Sequence, residues 1–228
     1  MRAQSDLHTQ LNRDGFALIG NVVPPDALQD LRAAIAPFQQ DRANVRNVLA
    51  VSPCARELLC ASRVFELAGE FLGCEPVLTR AILFDKKPGA NWAVGWHQDV
   101  TIAVARKLDV VGFSGWSVKE QVTHVQPPVE ILERLLTIRL HLDDCMEGNG
   151  PLQVLPGSHR QGRLSEEQIG QWSKGQPKTC VVAAGAALLM RPLLLHRSSP
   201  ATEPLHRRVL HLEFARDPLP QGLEWNVA

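Results

Sequence analysis

From residue 76 onward the chain is a series of short apolar segments closed by glycine, proline or asparagine. Many short strands separated by turn signals are typical of a β-sandwich or a barrel, the jelly roll among them. The segments predicted to be strands are 77–84, 93–99, 135–142, 151–155, 179–183, 186–190, 193–198 and 207–214. This part of the sequence therefore predicts a mainly β core.

Residues 1–75 differ in character and are predicted to be mostly helical. A short apolar strand is expected over 16–23, directly after Asp14 and Gly15. Two prolines then open a helix whose apolar residues recur at helical spacing up to residue 35, and Pro37 ends it. A second helical stretch covers 53–72 and ends at Gly73.

Residues 100–134 interrupt the series of strands. Residues 127–136 begin with prolines and are predicted to form a helix. The preceding stretch, 100–126, is predicted to be a lid or a binding loop, because long inserts are usually functional rather than core elements. We therefore expect one domain over 1–228, with a helical flank at 1–75 and a β core at 76–228 that carries the insert.

Composition excludes several classes of protein. The 24 basic and 24 acidic residues balance, so no net charge favours nucleic acid or an anionic membrane, and a small molecule is the expected partner. The longest apolar run is the ten residues 181–190, about half a membrane span. The first ten residues lack the features of a secretory signal. The number of cysteines is odd and no pair has CxxC spacing, which favours free buried thiols in a reducing cytoplasm: Cys54, Cys60, Cys74, Cys145 and Cys180.

The segment containing His97 and Asp99 is the first with metal-binding chemistry. On a strand, residues i and i+2 point to the same face, so an imidazole and a carboxylate would aim at one point. His196, which follows three leucines, is the best distant candidate for a third ligand. Two histidines and one carboxylate that leave open positions on the metal are typical of non-haem ferrous iron. The alternative is that HxD is a chance pair and His196 a structural residue at a strand end.

Arg207 lies eleven positions after His196, at the start of a predicted strand. A turn over 199–204 would return this strand beside the strand that carries His196. A guanidinium near such a metal suits the dicarboxylate 2-oxoglutarate, whose 2-oxo acid end would chelate the metal while Arg207 clamps the far carboxylate. The alternative is that Arg207 and Arg208 are a basic strand end on the surface.

Together, His97-x-Asp99, HLDDCMEGNGPLQVLPGSH (141–159), LLLHRSS (193–199) and HRRVLHLEFA (206–215) resemble the phytanoyl-CoA dioxygenase family. The N-terminal segment DGFALIGNVVPPDALQDLRAAI (14–35) is also similar to the entry strand and helix of that family. The resemblance implies a double-stranded β-helix, a cupin-like jelly roll with flanking helices, that uses Fe(II), 2-oxoglutarate and O2. It implies His97, Asp99 and His196 as iron ligands, Arg207 as the 2-oxoglutarate anchor, and Ser198 as a second group at the same carboxylate.

The activity implied is hydroxylation of an unactivated C–H bond in a small or medium-sized organic substrate, with release of succinate and CO2. Asp99 favours hydroxylation, because a halogenase on this scaffold would need a small residue at that position. Two other functions remain open. One is a non-catalytic β-barrel protein that binds a metal or a dicarboxylate, and the other is a zinc-type hydrolase that uses the same three ligands.

Arg139 departs from the family pattern, which has an aromatic residue near the co-substrate at the matching position. Strand parity places Arg139 on one face with Thr137 and His141, while the apolar residues between them are expected to face the helical layer. Arg139 could therefore bind a 2-oxoglutarate carboxylate or an anionic substrate, or form a structural ion pair with Asp143 or Asp144.

Three other histidines are left out of the predicted metal site. His159 is predicted to stabilise a turn, and His211 to line the pocket because it shares the parity of Arg207. His124, in the insert, could contact substrate but is predicted to be a solvated loop residue. Gln98 is expected to point away from the metal and is given no role.

Overall fold

A computed structural model describes residues 2–39, 42–202 and 206–227, in which helices precede a region rich in strands. The helices are α1 (Arg2–Asp14), α2 (Pro25–Ile35), α3 (Val48–Val51), α4 (Pro53–Cys60), α5 (Arg63–Leu72), α6 (Val129–Glu133) and α7 (Glu166–Trp172). The first seven strands are β1 (Phe16–Ile19), β2 (Asn44–Arg46), β3 (Val77–Lys86), β4 (Val94–His97), β5 (Ile102–Val104), β6 (Ser114–Lys119) and β7 (Val122–Gln126). The remaining strands are β8 (Leu136–His141), β9 (Leu152–Val154), β10 (Lys178–Cys180), β11 (Ala187–Met190), β12 (His196–Ser198) and β13 (Arg207–Ala215). None of the helices among these residues has the length and apolarity to cross a membrane.

Two antiparallel sheets form the β core. The larger has the order β1-β11-β8-β13-β3-β2 and the smaller has the order β10-β9-β12-β4. Apolar side chains from both sheets pack together between them, among them Phe16, Val154, Leu188 and Met190. The architecture is that of a jelly roll with flanking helices, as the pattern of short strands predicted.

The helical layer covers the outer face of the larger sheet. Leu210 and Leu212 of β13 join one apolar cluster with Leu31 of α2 and Leu67 of α5. Each fully buried leucine stabilises the fold by about 1.5–3 kcal/mol, so this packing fixes which face of β13 turns away from the helices. The alternate residues of the strand therefore point into the space between the sheets. Ile138 and Leu140 of β8, and Leu142 directly after it, lie in the same cluster, which confirms their predicted orientation.

The boundaries of several elements differ from prediction. The stretch predicted as one helix over 53–72 is two helices, because the Ser62 hydroxyl donates to Leu59 O and accepts from Val64 N, which ends α4 and caps α5. Strand β4 ends at His97, so Asp99 lies just beyond it rather than on it. Helix α1 and the short strand β2 were not predicted.

The insert is more ordered than a loop. Strands β5, β7 and β6 form a third sheet, in which Ile102 pairs with Val125 and Lys119 pairs with Val122. His124 lies inside this sheet at 2% exposure, so the prediction of a solvated loop histidine is wrong. The predicted helix at 127–136 is confirmed only as the shorter α6, because β8 begins at Leu136.

The position of β13 also differs from prediction. It pairs with β3 and β8 in the larger sheet, whereas β12 pairs with β4 and β9 in the smaller one. The chain therefore passes from one sheet to the other between β12 and β13, and His196 and Arg207 lie in opposite sheets instead of on neighbouring strands. Residues 203 and 204 of the predicted turn lie outside the described residues.

The five cysteines are free, as predicted, but they are not all buried. Cys145 and Cys180 are buried, whereas Cys54 and Cys60 are exposed and Cys74 is intermediate.

Gly150, in the NGP motif, lies where a side chain would collide with backbone. Its φ is +63°, and a Cβ there would be 2.6 Å from Ser199 O. We expect Gly150→Ala to lower the free energy of unfolding by about 2–4 kcal/mol, through the left-handed backbone and the clash together. Gly89→Ala is the matched control, because Gly89 has φ +80° but no atom within 4 Å of the added Cβ, and should cost only about 1–2 kcal/mol. Equal losses in urea denaturation would show that the clash is relieved without cost.

Candidate metal centre

The structure brings His97, Asp99 and His196 together between the two sheets. His97 is the last residue of β4 and pairs directly with His196, the first residue of β12. Asp99 N donates to Pro192 O at 2.9 Å, which holds the chain after β4 against the turn that precedes β12. One potential ligand atom from each of the three side chains lies within 4.8 Å of the others. The three side chains therefore come together even though β4 ends at His97 and Asp99 lies beyond the strand.

Both imidazoles present the Nε2 atom to this point. The Nδ1 atoms of His97 and His196 lie 2.8 Å from Gly95 O and Leu194 O, two residues earlier in each case. A carbonyl only accepts, so each Nδ1 carries the proton and donates it, and Nε2 keeps a free lone pair. Oδ2 of Asp99 is 3.7 Å from His196 Nε2 and is buried with no hydrogen-bond partner among the described residues. Three lone-pair donors that converge without a proton between them fit a divalent metal ion.

The protonation states of the triad also suit metal binding. Burial lowers the pKa of His196 to about 4, so its ring is neutral at pH 7. For Asp99, burial alone would raise the pKa, but the positive charge nearby, which includes the Arg80 guanidinium, holds it well below its usual value. The site therefore offers an ionised carboxylate and a neutral imidazole without having to release protons first.

The triad opens onto a cavity of about 320 Å³ that both sheets line. Val100, Thr101 and Lys119 place the insert at the wall of the cavity. Among the described lining residues Asp99 is the only carboxylate, whereas five are cationic: Arg46, Arg80, Lys119, Arg139 and Arg207. A cavity with this balance attracts small anions.

Arg207 forms one end of the cavity together with Ser198. Arg207 is 3% exposed, its Nη1 donates to Gly150 O, and its Nε has no partner among the described residues. The surface-residue alternative is therefore wrong. Ser198 Oγ lies 3.2 Å from Nζ of Lys86, which also donates to Ser199 O. Burial, and then Arg207, lower the pKa of Lys86 to about 8.

Lys86 was not identified from the sequence. It pairs with Arg207 in the β3–β13 register, and it shares strand parity with Ile82 and Phe84, which line the cavity. Two buried cations and a hydroxyl, with no carboxylate paired to either cation among the described residues, need an anion to offset the cost of burying their charge.

Arg139 faces the cavity, and the structural ion pair considered for it does not form. Asp143 instead accepts two hydrogen bonds from the Arg208 guanidinium, at 2.8 and 2.7 Å, and Asp144 accepts one from Ala184 N. The guanidinium of Arg139 donates through Nη1 to His211 Nδ1 at 2.9 Å. His211 lines the cavity as predicted.

His211 continues into a buried chain of polar groups that the sequence did not reveal. Its Nε2 lies 3.1 Å from Oε1 of Glu213, which also accepts from Arg80. Asp99, His211 and Glu213 form a second group of potential ligands within 4.8 Å of one another. Because the donor atoms of His211 and Glu213 are already engaged by the two arginines, the first triad suits a metal better.

The other discounted residues have structural roles. His159 Nε2 lies 3.2 Å from Asn12 O and joins the turn at residue 159 to α1. Gln98 bonds to the backbone at Gly162, Leu164 and Leu193, which fixes the loops around the triad rather than supplying a ligand.

Several solved structures share this architecture. AviO1 from Streptomyces viridochromogenes Tue57 has a TM-score of 0.69 and 24% identity, over 94% of this chain and 95% of that one. EctD from S. alaskensis, solved with 2-oxoglutarate and 5-hydroxyectoine, has a TM-score of 0.70 and 20% identity, over 92% of this chain and 75% of that one. These likenesses establish the fold.

In sequence, the chain is 28% identical over 167 residues to a protein named ectoine dioxygenase from Bordetella parapertussis. The match covers 65% of this chain and 47% of the relative, so the chain spans about half the length of that protein. The sequence model of the phytanoyl-CoA dioxygenase family (PhyH) matches residues 11–209, a range that contains all three residues of the triad as well as Ser198 and Arg207. The chain belongs to the phytanoyl-CoA dioxygenase family.

Proposed function

We propose that the chain is an Fe(II)- and 2-oxoglutarate-dependent oxygenase that hydroxylates a C–H bond of a small or medium-sized organic substrate. The observation that carries the proposal is that three potential metal ligands and two buried arginines, Arg139 and Arg207, line one cavity of about 320 Å³. A metal ion with free coordination positions at one end of the cavity would bind the 2-oxo acid group of a dicarboxylate. Neighbouring cations at the other end would bind its second carboxylate. The family and the EctD structure with bound 2-oxoglutarate support the same co-substrate.

Each group has a separate task in this proposal. His97, Asp99 and His196 hold the iron, and Arg207, Ser198 and Lys86 bind the far carboxylate of 2-oxoglutarate. Bound iron, 2-oxoglutarate and O2 supply the oxidising chemistry, with release of succinate and CO2. Asp99 supplies a carboxylate where a halogenase would need a small residue, which favours hydroxylation.

The whole range 1–228 serves as one oxygenase domain in this proposal. The helices before residue 75 cover the back of the sheet that carries Arg139 and Arg207, and the smaller sheet carries His97 and His196. The packing of that helical layer therefore positions the larger sheet, and with it the cationic side chains, relative to the metal ligands on the smaller sheet.

The test is production of succinate by purified protein supplied with ferrous iron, ascorbate, 2-oxoglutarate and O2. We expect slow formation of succinate even without substrate, its loss with a chelator, and its return with Fe(II) but not with Zn(II). A protein that binds 2-oxoglutarate but forms no succinate with any candidate substrate would be a binding protein. Hydrolysis supported by Zn(II), without binding of 2-oxoglutarate, would indicate a hydrolase.

Lys86 makes the affinity for 2-oxoglutarate depend on pH. Burial and Arg207 place the pKa of Lys86 at about 8, so the ammonium loses its proton as pH rises through that value. The 2-oxoglutarate carboxylates stay ionised over this range, so the lost attraction weakens binding. We expect the dissociation constant to rise about tenfold between pH 7 and pH 9.5 in calorimetric titrations of the Mn(II)-loaded protein. Lys86→Met should abolish the dependence, and an unchanged pH profile in this variant would assign it to another group.

A further inference from the structure

Arg139 is a buried guanidinium whose charge no carboxylate of the described chain neutralises by a salt bridge. It is 7% exposed, it lines the cavity, and its Nε has no hydrogen-bond partner among the described residues. Burial, and then the like charge of Arg207, lower its pKa to about 10. A buried cation of this kind needs an anionic ligand, because an unpaired buried charge is costly.

The partner that Arg139 does have leaves its charge available. His211 accepts from Arg139 at Nδ1, so its ring is neutral and its proton lies on Nε2, which donates to Glu213. Glu213 also accepts from Arg80, so its charge is paired with that guanidinium. The imidazole thus lies between Arg139 and the Glu213 carboxylate, and it orients the guanidinium without neutralising it.

Arg139 and Arg207 lie at different ends of the cavity. Arg207 pairs with Lys86 across β13 and β3, whereas His211, the partner of Arg139, is four residues further along β13. Four residues of strand span about 13 Å. A ring nitrogen of His211 lies within 4.8 Å of an Asp99 carboxylate oxygen, so the Arg139–His211 pair is at the metal end of the cavity. Arg207, Lys86 and Ser198 already provide for one carboxylate at the other end.

We propose that Arg139 binds the metal-chelating carboxylate of the 2-oxo acid, so that each carboxylate of the co-substrate has its own guanidinium; this inference rests on the proposed function. Only one oxygen of the chelating carboxylate coordinates a metal, and the other needs a donor inside a buried cavity. A guanidinium supplies it as a charge-assisted hydrogen bond and limits the directions in which the 2-oxo acid can lie.

Binding of two 2-oxo acids separates the roles of the two arginines. 2-Oxobutyrate has the same chelating group as 2-oxoglutarate but lacks the far carboxylate. Dissociation constants for both are measured on Mn(II)-loaded protein by calorimetry, with 2-oxobutyrate also titrated as a competitor. We expect Arg139→Met to raise both constants by a similar factor, about tenfold or more. The matched control Arg207→Met should raise that of 2-oxoglutarate by at least about tenfold and leave 2-oxobutyrate within about twofold.

Folding and metal binding are checked by thermal unfolding and by the Mn(II) affinity of each variant. Should Arg139→Met fail to fold, Arg139→Lys tests the same point, because it keeps the charge but loses the two-pronged guanidinium. This variant should weaken the binding of both ligands by a smaller common factor. Unchanged binding of both acids, or weakening of 2-oxoglutarate alone, would overturn the inference. The first outcome would assign Arg139 to another ligand, and the second to the far carboxylate. Absence of binding to the wild-type protein would refute the proposed function instead.

Discussion

Asp99→Ala is expected to lose metal binding and, with it, formation of succinate. The carboxylate is the only anionic member of the triad, and its buried Oδ2 has no hydrogen-bond partner among the described residues. Loss of residues that merely support a metal ligand typically costs 10- to 100-fold in affinity, so loss of a ligand should cost at least about 100-fold. The measurements are Mn(II) affinity by calorimetry and succinate formed with Fe(II).

Two variants make this result specific. Asp99→Asn keeps the volume of the side chain and removes the charge, so it should also bind metal weakly. Asp109→Ala removes an exposed aspartate in the insert and should leave both measurements unchanged. Retained Mn(II) affinity in Asp99→Ala, with normal thermal unfolding, would show that the ion is held elsewhere, and the second group containing His211 and Glu213 would then be the first to examine.

Arg207→Ala is expected to weaken 2-oxoglutarate binding by about 30-fold to several thousand-fold. This range corresponds to about 2–5 kcal/mol for leaving one partner of a buried charge pair without the other. Arg207→Lys keeps the charge but not the two-pronged geometry, so its affinity for 2-oxoglutarate should fall by a smaller factor. The measurements are the dissociation constant for 2-oxoglutarate on Mn(II)-loaded protein and the 2-oxoglutarate concentration needed for half-maximal succinate formation.

The neighbouring arginine is the control for this experiment. Arg208 is on the opposite side of the same strand, where its guanidinium pairs with Asp143 at 2.7 Å. Arg208→Ala should therefore lower stability while leaving the affinity for 2-oxoglutarate within about twofold. If Arg207→Ala kept its dependence on 2-oxoglutarate, the anchor would have to be sought elsewhere, first at Lys86 and Arg139, two further buried cations that form no salt bridge among the described residues.

Several features of the site could be predicted because they depend on local chemistry. The alternation of polar and apolar residues on β8 and β13 decides which side chains enter a core, and it placed Arg139, Arg207 and His211 on the inner face. The i, i+2 spacing of His97 and Asp99, the chemistry of two imidazoles and a carboxylate, and the family resemblance together predicted the triad with His196, and its potential ligand atoms lie within 4.8 Å of one another.

The predictions that failed concern long-range pairing. β13 was expected beside β12, but it lies in the opposite sheet, because the helical layer takes up one face of β13 while β3 and β8 pair with its edges. The role of Lys86 depends on that arrangement, since it meets Arg207 only through the β3–β13 register. The prediction of one helix over 53–72 was wrong for a local reason, because the hydrogen bonds of the Ser62 hydroxyl divide the stretch into two helices.

The sequence by itself determined the class of fold, the candidate metal ligands and the charges that face inward, because these follow from residue chemistry and strand periodicity. Only the tertiary structure decided which charges are neutralised. Asp143 pairs with Arg208, Glu213 pairs with Arg80, and Arg139 is left with a neutral imidazole. The physical reason is that an electrostatic interaction inside a protein depends on distance and burial, and both are set by strand register and by packing between sheets rather than by position along the chain.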